Sequence, residues 1–238
     1  MKNAIVTGAS RGLGKAIARM LAAEGYGLYL VCRNNIDELN KLGKRLESEY
    51  SVPVQCFKGD VSDSAFVKDL YKDIESLDVL VNNAGISYVG LLQDMTDEEW
   101  HNITGINLDS VFYFSREAVK LMLKNHSGHI INISSVWGNV GASCEAAYSA
   151  TKGGVNALTK ALAKELAPSG ISVNAISCGM MDTDMNGHLS PEDKDDIVAQ
   201  IPAGRQGTPE DAATMVKSII NAPSYMTGQI ISLDGGWI

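Results

Sequence analysis

The sequence predicts one doubly wound α/β domain, in which a parallel sheet of seven strands is flanked by helices. Seven short runs are apolar along their whole length, which is typical of strands that are buried on both faces of a parallel sheet. Longer segments with helical periodicity separate these runs, so right-handed crossovers would wind the sheet in both directions. At 238 residues, the chain is long enough to bury such a core without disulfides or metals.

The strands and helices alternate along the chain in the order that such a domain requires. The first strand is predicted at Ala4–Val6, and the first helix follows at about Gly12–Gly25. The other strands are predicted at Leu28–Val31, Val54–Phe57, Val79–Val81, Ile130–Ile133, Ser172–Ile176 and Gln229–Leu233. The other helices are predicted at Ile36–Tyr50, Ser64–Ile74, Asp97–Asn125, Tyr148–Leu166 and Pro209–Asn221. Gly105 is the point at which the longest of these helices is expected to break.

One long stretch, Asp182–Gly207, has no clear core pattern. It is polar and contains Pro191 and Pro202. A loop of this length inside a compact domain is usually a lid or a disordered segment. We interpret it as a substrate lid at about 182–207. No linker, low-complexity tract or repeat divides the chain, so residues 1–238 are expected to form a single domain.

The composition excludes several classes of function. The formal net charge of −8 disfavours binding to nucleic acids, because no basic stripe offsets the repulsion of phosphates. The four cysteines show no CxxC spacing, and His101, His126, His129 and His188 are scattered, so no metal site is expected. No apolar run approaches 18 residues. We therefore expect a cytoplasmic protein with reduced thiols that binds neither nucleic acid nor membranes.

A glycine-rich turn between the first strand and the first helix is a candidate binding element. Residues 7–14 read Thr-Gly-Ala-Ser-Arg-Gly-Leu-Gly. Glycines permit a tight turn and the close approach of a pyrophosphate to the N–H groups of the helix N-terminus. The spacing is GxxxGxG and not GxGxxG, so an ordinary turn with packing glycines is the alternative. The candidate cofactor-binding residues in this turn are Gly8, Ser10, Arg11, Gly12, Leu13 and Gly14.

The end of the second strand indicates which dinucleotide would bind. An NAD site carries a carboxylate there for the ribose 2′-hydroxyl, but residues 31–34 read Val-Cys-Arg-Asn. A guanidinium binds a 2′-phosphate through paired donors, so Arg33, helped by Arg11, predicts NADP(H). The alternative is that Arg33 is a solvated cation at a strand end. Asp60 either accepts a hydrogen bond from the adenine amino group or caps the helix that begins near Ser62.

Tyr148 and Lys152 are four residues apart and share a face of their predicted helix. Such a pair occurs by chance in many helices, but this helix follows the fifth strand, whose end carries Ser135. Ligands of doubly wound sheets bind outside the carboxyl ends of the strands. Hydride addition to a ketone builds charge on its oxygen, which needs a hydrogen-bond donor and a proton. We expect Ser135 to hold that oxygen, Tyr148 to supply the proton, and the Lys152 ammonium to lower the phenol pKa below about 10.

With Asn82-Asn83-Ala84-Gly85 and Asn107, these residues resemble the short-chain dehydrogenase/reductase family over essentially the whole chain. The resemblance implies a Rossmann-type domain in which Ser135 orients the substrate and Tyr148 transfers the proton. It implies that Lys152 also binds the nicotinamide ribose and that Asn107 holds a water in a relay running from Lys152. The cofactor-binding residues that it adds to the glycine-rich turn and Arg33 are Asp60, Val61, Asn83, Ala84, Gly85, Tyr148, Lys152, Met181 and Thr183.

Several segments are similar to the bacterial 3-oxoacyl-[acyl-carrier-protein] reductases of that family. They are Asp97–Trp100, Asn107–Phe112, Asp182–Met185, Ile201–Arg205 and Tyr225–Gln229. This similarity implies NADPH-dependent reduction of a carrier-bound 3-oxoacyl thioester in fatty acid biosynthesis, by a homotetramer. Two departures are noted: Cys178 replaces the usual proline after the sixth strand, and His126 and Ser169 replace basic residues that dock the acidic carrier. Four lysines are candidates for compensating the second departure, namely Lys120, Lys124, Lys160 and Lys164.

Two further readings of the function stay open. Trp137–Glu145 resembles a subgroup of Gram-positive reductases that act on a 5-aminopentanone group carried by elongation factor P. Glu145 could attract the amine of such a substrate or of another small ketone, or this loop could only shape the pocket rim. A non-catalytic NADP-binding module on the same fold is the other reading. The segment Gln229–Ile238 is expected at a subunit interface, with a simple core strand as the alternative.

Overall fold

Within residues 1–187 and 189–238, which the computed structural model describes, seven strands form one parallel sheet. They are β1 (Asn3–Thr7), β2 (Gly27–Cys32), β3 (Val54–Lys58), β4 (Val79–Asn82), β5 (Gly128–Ser135), β6 (Ile171–Cys178) and β7 (Ile230–Leu233). Their order is β3-β2-β1-β4-β5-β6-β7, so the chain winds outward first from β1 and then from β4. This order confirms the predicted doubly wound fold. It also places the reversal of strand order, where ligands of such sheets bind, between β1 and β4.

Helices cover both faces of the sheet. They are α1 (Gly12–Ala23), α2 (Ile36–Tyr50), α3 (Ser64–Leu70), α4 (Asp97–Thr104), α5 (Ser110–Asn125), α6 (Trp137–Val140), α7 (Ala146–Leu166), α8 (Pro191–Gln200) and α9 (Pro209–Ile220). On one face, α1, α2 and α9 bury residues such as Ile17 and Val216 against the sheet. On the other face, α3, α5 and α7 bury residues such as Phe114 and Leu166. Burial on both faces explains why the strands are apolar along their length.

The predicted long helix Asp97–Asn125 is interrupted where its glycine lies. It divides into α4, a π-helical segment at Gly105–Asp109, and α5. A Cβ atom added to Gly105 would lie 3.3 Å from the Cβ of Ser62, so the helix passes close to the loop after β3 at this point. The expected break is confirmed. Single turns of π-helix inside longer helices are frequent at functional sites, and this one carries Asn107.

The prediction of a loop throughout Asp182–Gly207 is wrong at residues 191–200, which form α8. The helix begins with a capping box in which Ser190 and Asp193 each bond the backbone of the other. None of its residues is buried, so it shows no core periodicity, and its capping residues were the only available signal. His188 lies outside the described residues. The role of this segment as a lid stays a prediction.

Strands β5 and β6 both run two residues further than predicted. The ladder between them pairs Ser134 with Ser177 and Ser135 with Cys178. All four side chains are buried, although only one of these residues is apolar enough to extend the predicted pattern. The extension brings Ser135 and Cys178 side by side at the carboxyl edge of the sheet.

Candidate active site

A cleft of about 650 Å³ opens at the carboxyl ends of the strands. Most of the predicted site residues line this cleft, namely Gly8, Ser10, Arg11, Gly12, Leu13, Arg33, Asp60, Val61, Asn83, Ala84, Gly85, Ser135, Tyr148, Lys152, Met181 and Thr183. Gly14 and Asn107 lie behind this lining. A Cβ atom added to Gly14 would collide with the carbonyl oxygen of Gly8, so Gly14 serves the tightness of the turn. The structure therefore brings the nominated residues together around one cavity.

The glycine-rich turn fits the binding of a pyrophosphate. Gly8 and Gly12 adopt φ angles of 66° and 52°, a conformation that favours glycine. Among the described residues, no side chain caps α1, and its first turn holds no acidic residue. The helices α4, α8 and α9, in contrast, each begin with a capping box. The N-terminus of α1 therefore keeps its N–H groups and its partial positive charge available for an anion in the cleft.

Thr7 and Asn83 fasten this turn to the end of β4. The Thr7 hydroxyl accepts hydrogen bonds from the backbone N–H groups of Asn83 at 3.0 Å and Ala84 at 2.9 Å. The side-chain amide of Asn83 donates to the carbonyl oxygen of Thr7 at 2.8 Å. These bonds hold β1 and β4 together at the reversal of strand order, where the cleft begins to open between the two strands.

Arg11 lies in the turn after β1 and Arg33 follows β2; both line the cleft, and each is paired with a carboxylate. The Arg33 guanidinium lies 3.1 Å from Asp60, and that of Arg11 lies 3.2 Å from Asp184. Asp60 also accepts hydrogen bonds from the backbone N–H and the hydroxyl of Ser62, at 2.9 and 2.6 Å. Burial raises the pKa of Asp60, but the bonds from Ser62 and the charge of Arg33 outweigh it, so the pKa is lowered.

The alternative in which Asp60 caps the next helix is wrong. Asp63 is the residue whose side chain accepts from the backbone N–H of Ala65, at 2.8 Å, at the start of α3. Asp60 instead closes a turn on Ser62 and faces the cleft. It is therefore available to orient Arg33, and the sequence alone could not separate two aspartates that are three residues apart.

Ser135, Tyr148 and Lys152 meet in the same cleft. The hydroxyl of Ser135, which ends β5, lies close enough to that of Tyr148 to lower its pKa. The Lys152 Nζ lies 5.6 Å from the centre of the Tyr148 ring and donates to the carbonyl oxygen of Ile133 at 2.8 Å. All three side chains are buried, with relative exposures of 5–8%. The predicted convergence of the three residues is therefore observed.

The protonation of this cluster differs from the sequence expectation. Burial raises the pKa of Tyr148 well above its ordinary value, although the hydrogen bond from Ser135 opposes the shift. Burial likewise lowers the pKa of Lys152 to about 8. The expected lowering of the phenol pKa by Lys152 is wrong for the free protein, because desolvation of a buried phenolate outweighs nearby charge. Tyr148 is therefore held in its protonated form, which a proton donor requires.

Cys178 adds a thiol to the cluster. It lies beside Ser135 in the ladder, is buried and lines the cleft. Burial raises its pKa to about 12, and the charge of Lys152 only partly offsets this. The thiol is therefore neutral and adds no charge beside Lys152 and Tyr148.

A short helix, α6, packs on Lys152 from outside, and no pattern in the sequence predicted this helix. A Cβ atom added to Gly138 would lie 2.7 Å from the carbonyl carbon of Lys152, so α6 packs directly on the backbone of α7. The N–H of Trp137 donates to the hydroxyl of Ser135 at 3.2 Å. Glycine at position 138 is thus required for the contact that aligns Ser135 with Lys152.

A chain of hydrogen bonds fixes α6 to the sheet. Ser134 donates to Asn156 at 2.6 Å, Asn156 donates to Asn139 at 2.9 Å, and Asn139 donates to Ser177 at 2.9 Å. Ser134, Asn156 and Ser177 are buried. Networks of this kind give a site one arrangement when every member is satisfied.

Asn107 is buried behind the cluster. Its amide nitrogen donates to the carbonyl oxygen of Ile86 at 2.9 Å and to the hydroxyl of Thr151 at 3.2 Å. Its carbonyl oxygen accepts from the N–H of Ile86 at 2.9 Å. The side chain is thus held by protein groups, so it positions the loop after β4. Its part in a water relay stays a prediction.

Among the described residues, no group of three or more His, Cys, Asp and Glu side chains could hold a metal ion. Within the same part of the chain, no helix is long and apolar enough to cross a membrane.

Comparisons with known proteins agree with this geometry. A family model described as short chain dehydrogenase matches residues 2–194. The 3-oxoacyl-[acyl-carrier-protein] reductase FabG of Staphylococcus aureus (strain N315) is 40% identical over 240 residues, which cover 99% of this chain and 97% of that protein. YmfI of Bacillus subtilis (strain 168), described as an uncharacterized oxidoreductase, is 38% identical over 238 residues, with coverage of 99% and 98%. The solved structure of YwfH, an NADPH dependent reductase involved in bacilysin biosynthesis, superposes with a TM-score of 0.94 at 27% identity, with coverage of 100% and 98%.

Proposed function

This chain belongs to the short-chain dehydrogenase family, and we propose that it is an NADPH-dependent carbonyl reductase whose preferred substrate is a 3-oxoacyl thioester. Membership establishes an oxidoreductase that acts on CH–OH and C=O groups. The observation that carries the proposal is the buried cluster of Ser135, Tyr148 and Lys152 in the same cleft as the uncapped α1.

NADP(H) is the cofactor that the cleft fits best. The N–H groups of the glycine-rich turn would hold the pyrophosphate, and Arg33 and Arg11 would bind the 2′-phosphate. Asp60 and Val61 would lie beside the adenine ring of the cofactor. Asn83–Gly85 would lie beside the ribose of its adenosine half. Lys152, Met181 and Thr183 would hold the nicotinamide end. The cofactor supplies the hydride when it is bound.

The residues of this chain supply the proton and the polar contacts. Ser135 and Tyr148, which both line the cleft, would both point their hydroxyl groups at the carbonyl oxygen of the substrate. Tyr148 donates its proton to that oxygen, since burial keeps the phenol protonated. The ammonium of Lys152 then stabilises the phenolate that is left, from its anchored position near the ring.

A 3-oxoacyl thioester fits the walls of the cleft. Apolar side chains line it on the side of Tyr148, namely Trp137, Met180, Met185, Leu189, Ile197 and Trp237. A relative at 40% identity is named for this activity. This supports fatty acid biosynthesis as the setting of the reaction.

Docking of an acyl carrier protein would require basic residues on the surface of this protein. His126 ends α5 with a φ angle of 49°, and a Cβ atom added to Gly170 would lie 2.6 Å from its carbonyl oxygen. Positions 126 and 169 therefore adjoin each other, yet neither carries a fixed positive charge. The four candidate lysines are all exposed, namely Lys120, Lys124, Lys160 and Lys164, and Lys120 is also paired with Glu117 at 2.6 Å. An acidic carrier would have to use these lysines.

A second candidate function is the reduction of an amine-bearing ketone, such as the 5-aminopentanone group on elongation factor P. The observation that favours it is the negative charge near the substrate end of the cleft. Glu145 lines the cleft and raises the pKa of Tyr148 by its charge. Helix α8, whose Ile197 lines the cleft, carries four exposed carboxylates at Glu192, Asp193, Asp195 and Asp196. These charges attract an ammonium group and repel an acidic carrier.

We further propose a cytoplasmic homotetramer. Phe112 and Leu123 on α5 are exposed although they are apolar, which supports a subunit contact on this face. A subunit contact of Gln229–Ile238 remains part of the same proposal. A non-catalytic NADP-binding module is disfavoured, because such a module has no use for a buried lysine beside a buried phenol.

The proposal is tested by following NADPH oxidation with three substrates. They are a 3-oxoacyl thioester on acyl carrier protein, the same acyl group on a small thiol, and an aliphatic amino ketone. Reduction of both thioesters, with the carrier form preferred, is the expected result. Preference for the amino ketone, with no activity on the carrier form, would favour the second candidate. Binding of NADPH without reduction of any ketone would contradict carbonyl reduction altogether.

A further inference from the structure

Two tryptophans from distant parts of the sequence meet in the cleft. The ring centres of Trp137 and Trp237 are 5.1 Å apart, and their planes cross at 63° in an edge-to-face arrangement. Both residues line the cleft. Such pairs are favourable beyond the apolar area that they bury, so the two indoles hold each other in place. Together they form an indole wall, by which we mean Trp137 and Trp237.

The indole wall stands beside the catalytic hydroxyl groups. The backbone N–H of Trp137 donates to the hydroxyl of Ser135 at 3.2 Å. The Trp137 side chain packs on the buried apolar cluster that contains Tyr148 and Ala147. A substrate whose carbonyl oxygen contacts Ser135 and Tyr148 would therefore extend one of its substituents along this wall.

The segment that carries Trp237 is held in a defined conformation. Asp234 accepts from the N–H of Gly236 at 2.9 Å, and its carbonyl oxygen accepts from the N–H of Trp237 at 3.3 Å. Gly235 and Gly236 have φ angles of 68° and 83°, which other residues rarely adopt. A Cβ atom added to Gly179 would lie 2.8 Å from the Cα of Asp234, so this turn packs tightly on the end of β6. The indole is thus aimed into the cleft by the backbone.

We propose that Trp237 is a specificity-determining residue that binds the aliphatic chain attached to the ketone. This inference rests on the proposed carbonyl reduction, and it names the class of ketone: one with an unbranched chain of several methylene groups. A flat indole face offers a large apolar surface to such a chain, and each methylene that it covers adds to transition-state binding. A compact ketone leaves the wall uncovered and gains nothing from it.

The test is the dependence of kcat/KM on chain length in a series of methyl ketones, with saturating NADPH. The wild-type protein is expected to gain up to about fourfold per added methylene until the wall is covered. Trp237→Ala is expected to lose most of this gain, and Trp237→Phe to keep part of it. The affinity for NADPH, measured by its fluorescence, is expected to stay the same in both variants.

Trp100→Ala is the matched control, because this third tryptophan lies on α4 and does not line the cleft. It should keep the wild-type dependence on chain length. An unchanged dependence in both Trp237 variants would overturn the inference and leave carbonyl reduction standing. A wild-type protein that binds NADPH but reduces no ketone of the series or thioester would instead overturn the proposed function, and with it this inference.

Discussion

The catalytic end and the adenosine end of the cleft hold their charged side chains in different ways. Lys152 and Tyr148 are 5% and 8% exposed, and burial displaces both of their pKa values. The side chains of Arg11 and Arg33 are 68% and 53% exposed, and each is paired with a carboxylate. Exposed pairs are worth little, so such an arginine can turn from a carboxylate to a phosphate at small cost. If the proposed function is correct, burial sets the proton chemistry at one end of the cleft and exposed arginines select the cofactor at the other.

The largest effect is expected from Tyr148→Phe at the buried end. The variant keeps the ring and its packing but lacks the proton, so turnover should fall by roughly 10²- to 10⁴-fold. The affinity for NADPH should be retained, which a fluorescence titration can measure next to kcat. A variant that reduces ketones normally would show that another group is the acid.

The charge on Lys152 gives the buried end a pH dependence. Burial lowers the pKa of Lys152 to about 8 in the free protein. We expect kcat/KM for NADPH, which reports ionisations of the free protein, to be highest below this pH. It should fall as the pH rises through about 8, because the ammonium loses its proton.

Lys152→Met should have low activity, and its kcat/KM for NADPH should show no fall as the pH rises through about 8. Lys160→Met is the matched control, since Lys160 lies on the same helix but is exposed, and it should keep the wild-type profile. A wild-type profile that stays flat from pH 6 to pH 10, the range in which Lys152 should lose its proton, would contradict the assigned charge state.

At the exposed end, Arg33→Ala should weaken NADPH binding by roughly ten- to a hundredfold, the effect of losing charge-assisted hydrogen bonds to a phosphate. Binding of NADH, which lacks the 2′-phosphate, should change little. Arg45→Ala is a suitable control, because Arg45 is an exposed residue of α2 outside the cleft. Equal losses for the two cofactors would overturn the assignment to NADP(H).

The smallest effect is expected from Asp184→Asn, which removes the partner of Arg11. Because both side chains are exposed, the free energy of unfolding should change by less than about 1 kcal/mol. Urea denaturation measures this change directly. A loss of several kcal/mol would show that the ion pair contributes strongly to folding. The two ends of the cleft would then hold their charged side chains in similar ways.

Features that depend on short segments were predictable from the sequence. The apolar strands, the turn at residues 7–14 and the Tyr148–Lys152 spacing follow from patterns within a few residues of each other. The break near Gly105 was predictable for the same reason, because glycine is a poor helix former. These features are sufficient to predict the fold and most of the lining of the cleft.

Features that depend on burial or on distant contacts were not predictable. Helix α8 has no buried residue and therefore no periodicity to detect. The raised pKa of Tyr148 arises from packing against residues such as Ile103, which is far away in the sequence. Trp137 follows β5 and Trp237 follows β7, so their contact joins distant parts of the sequence and no local pattern predicts it.

A titration of Tyr148 directly tests whether burial keeps its phenol protonated. The near-ultraviolet absorbance of the wild-type protein minus that of Tyr148→Phe isolates this one phenol during a pH titration. We expect Tyr148 to form no phenolate as the pH rises to 10.0, the ordinary pKa of a tyrosine, because burial keeps the proton in place. Appearance of the phenolate near neutral pH would contradict it, since the charge of Lys152 would then outweigh burial.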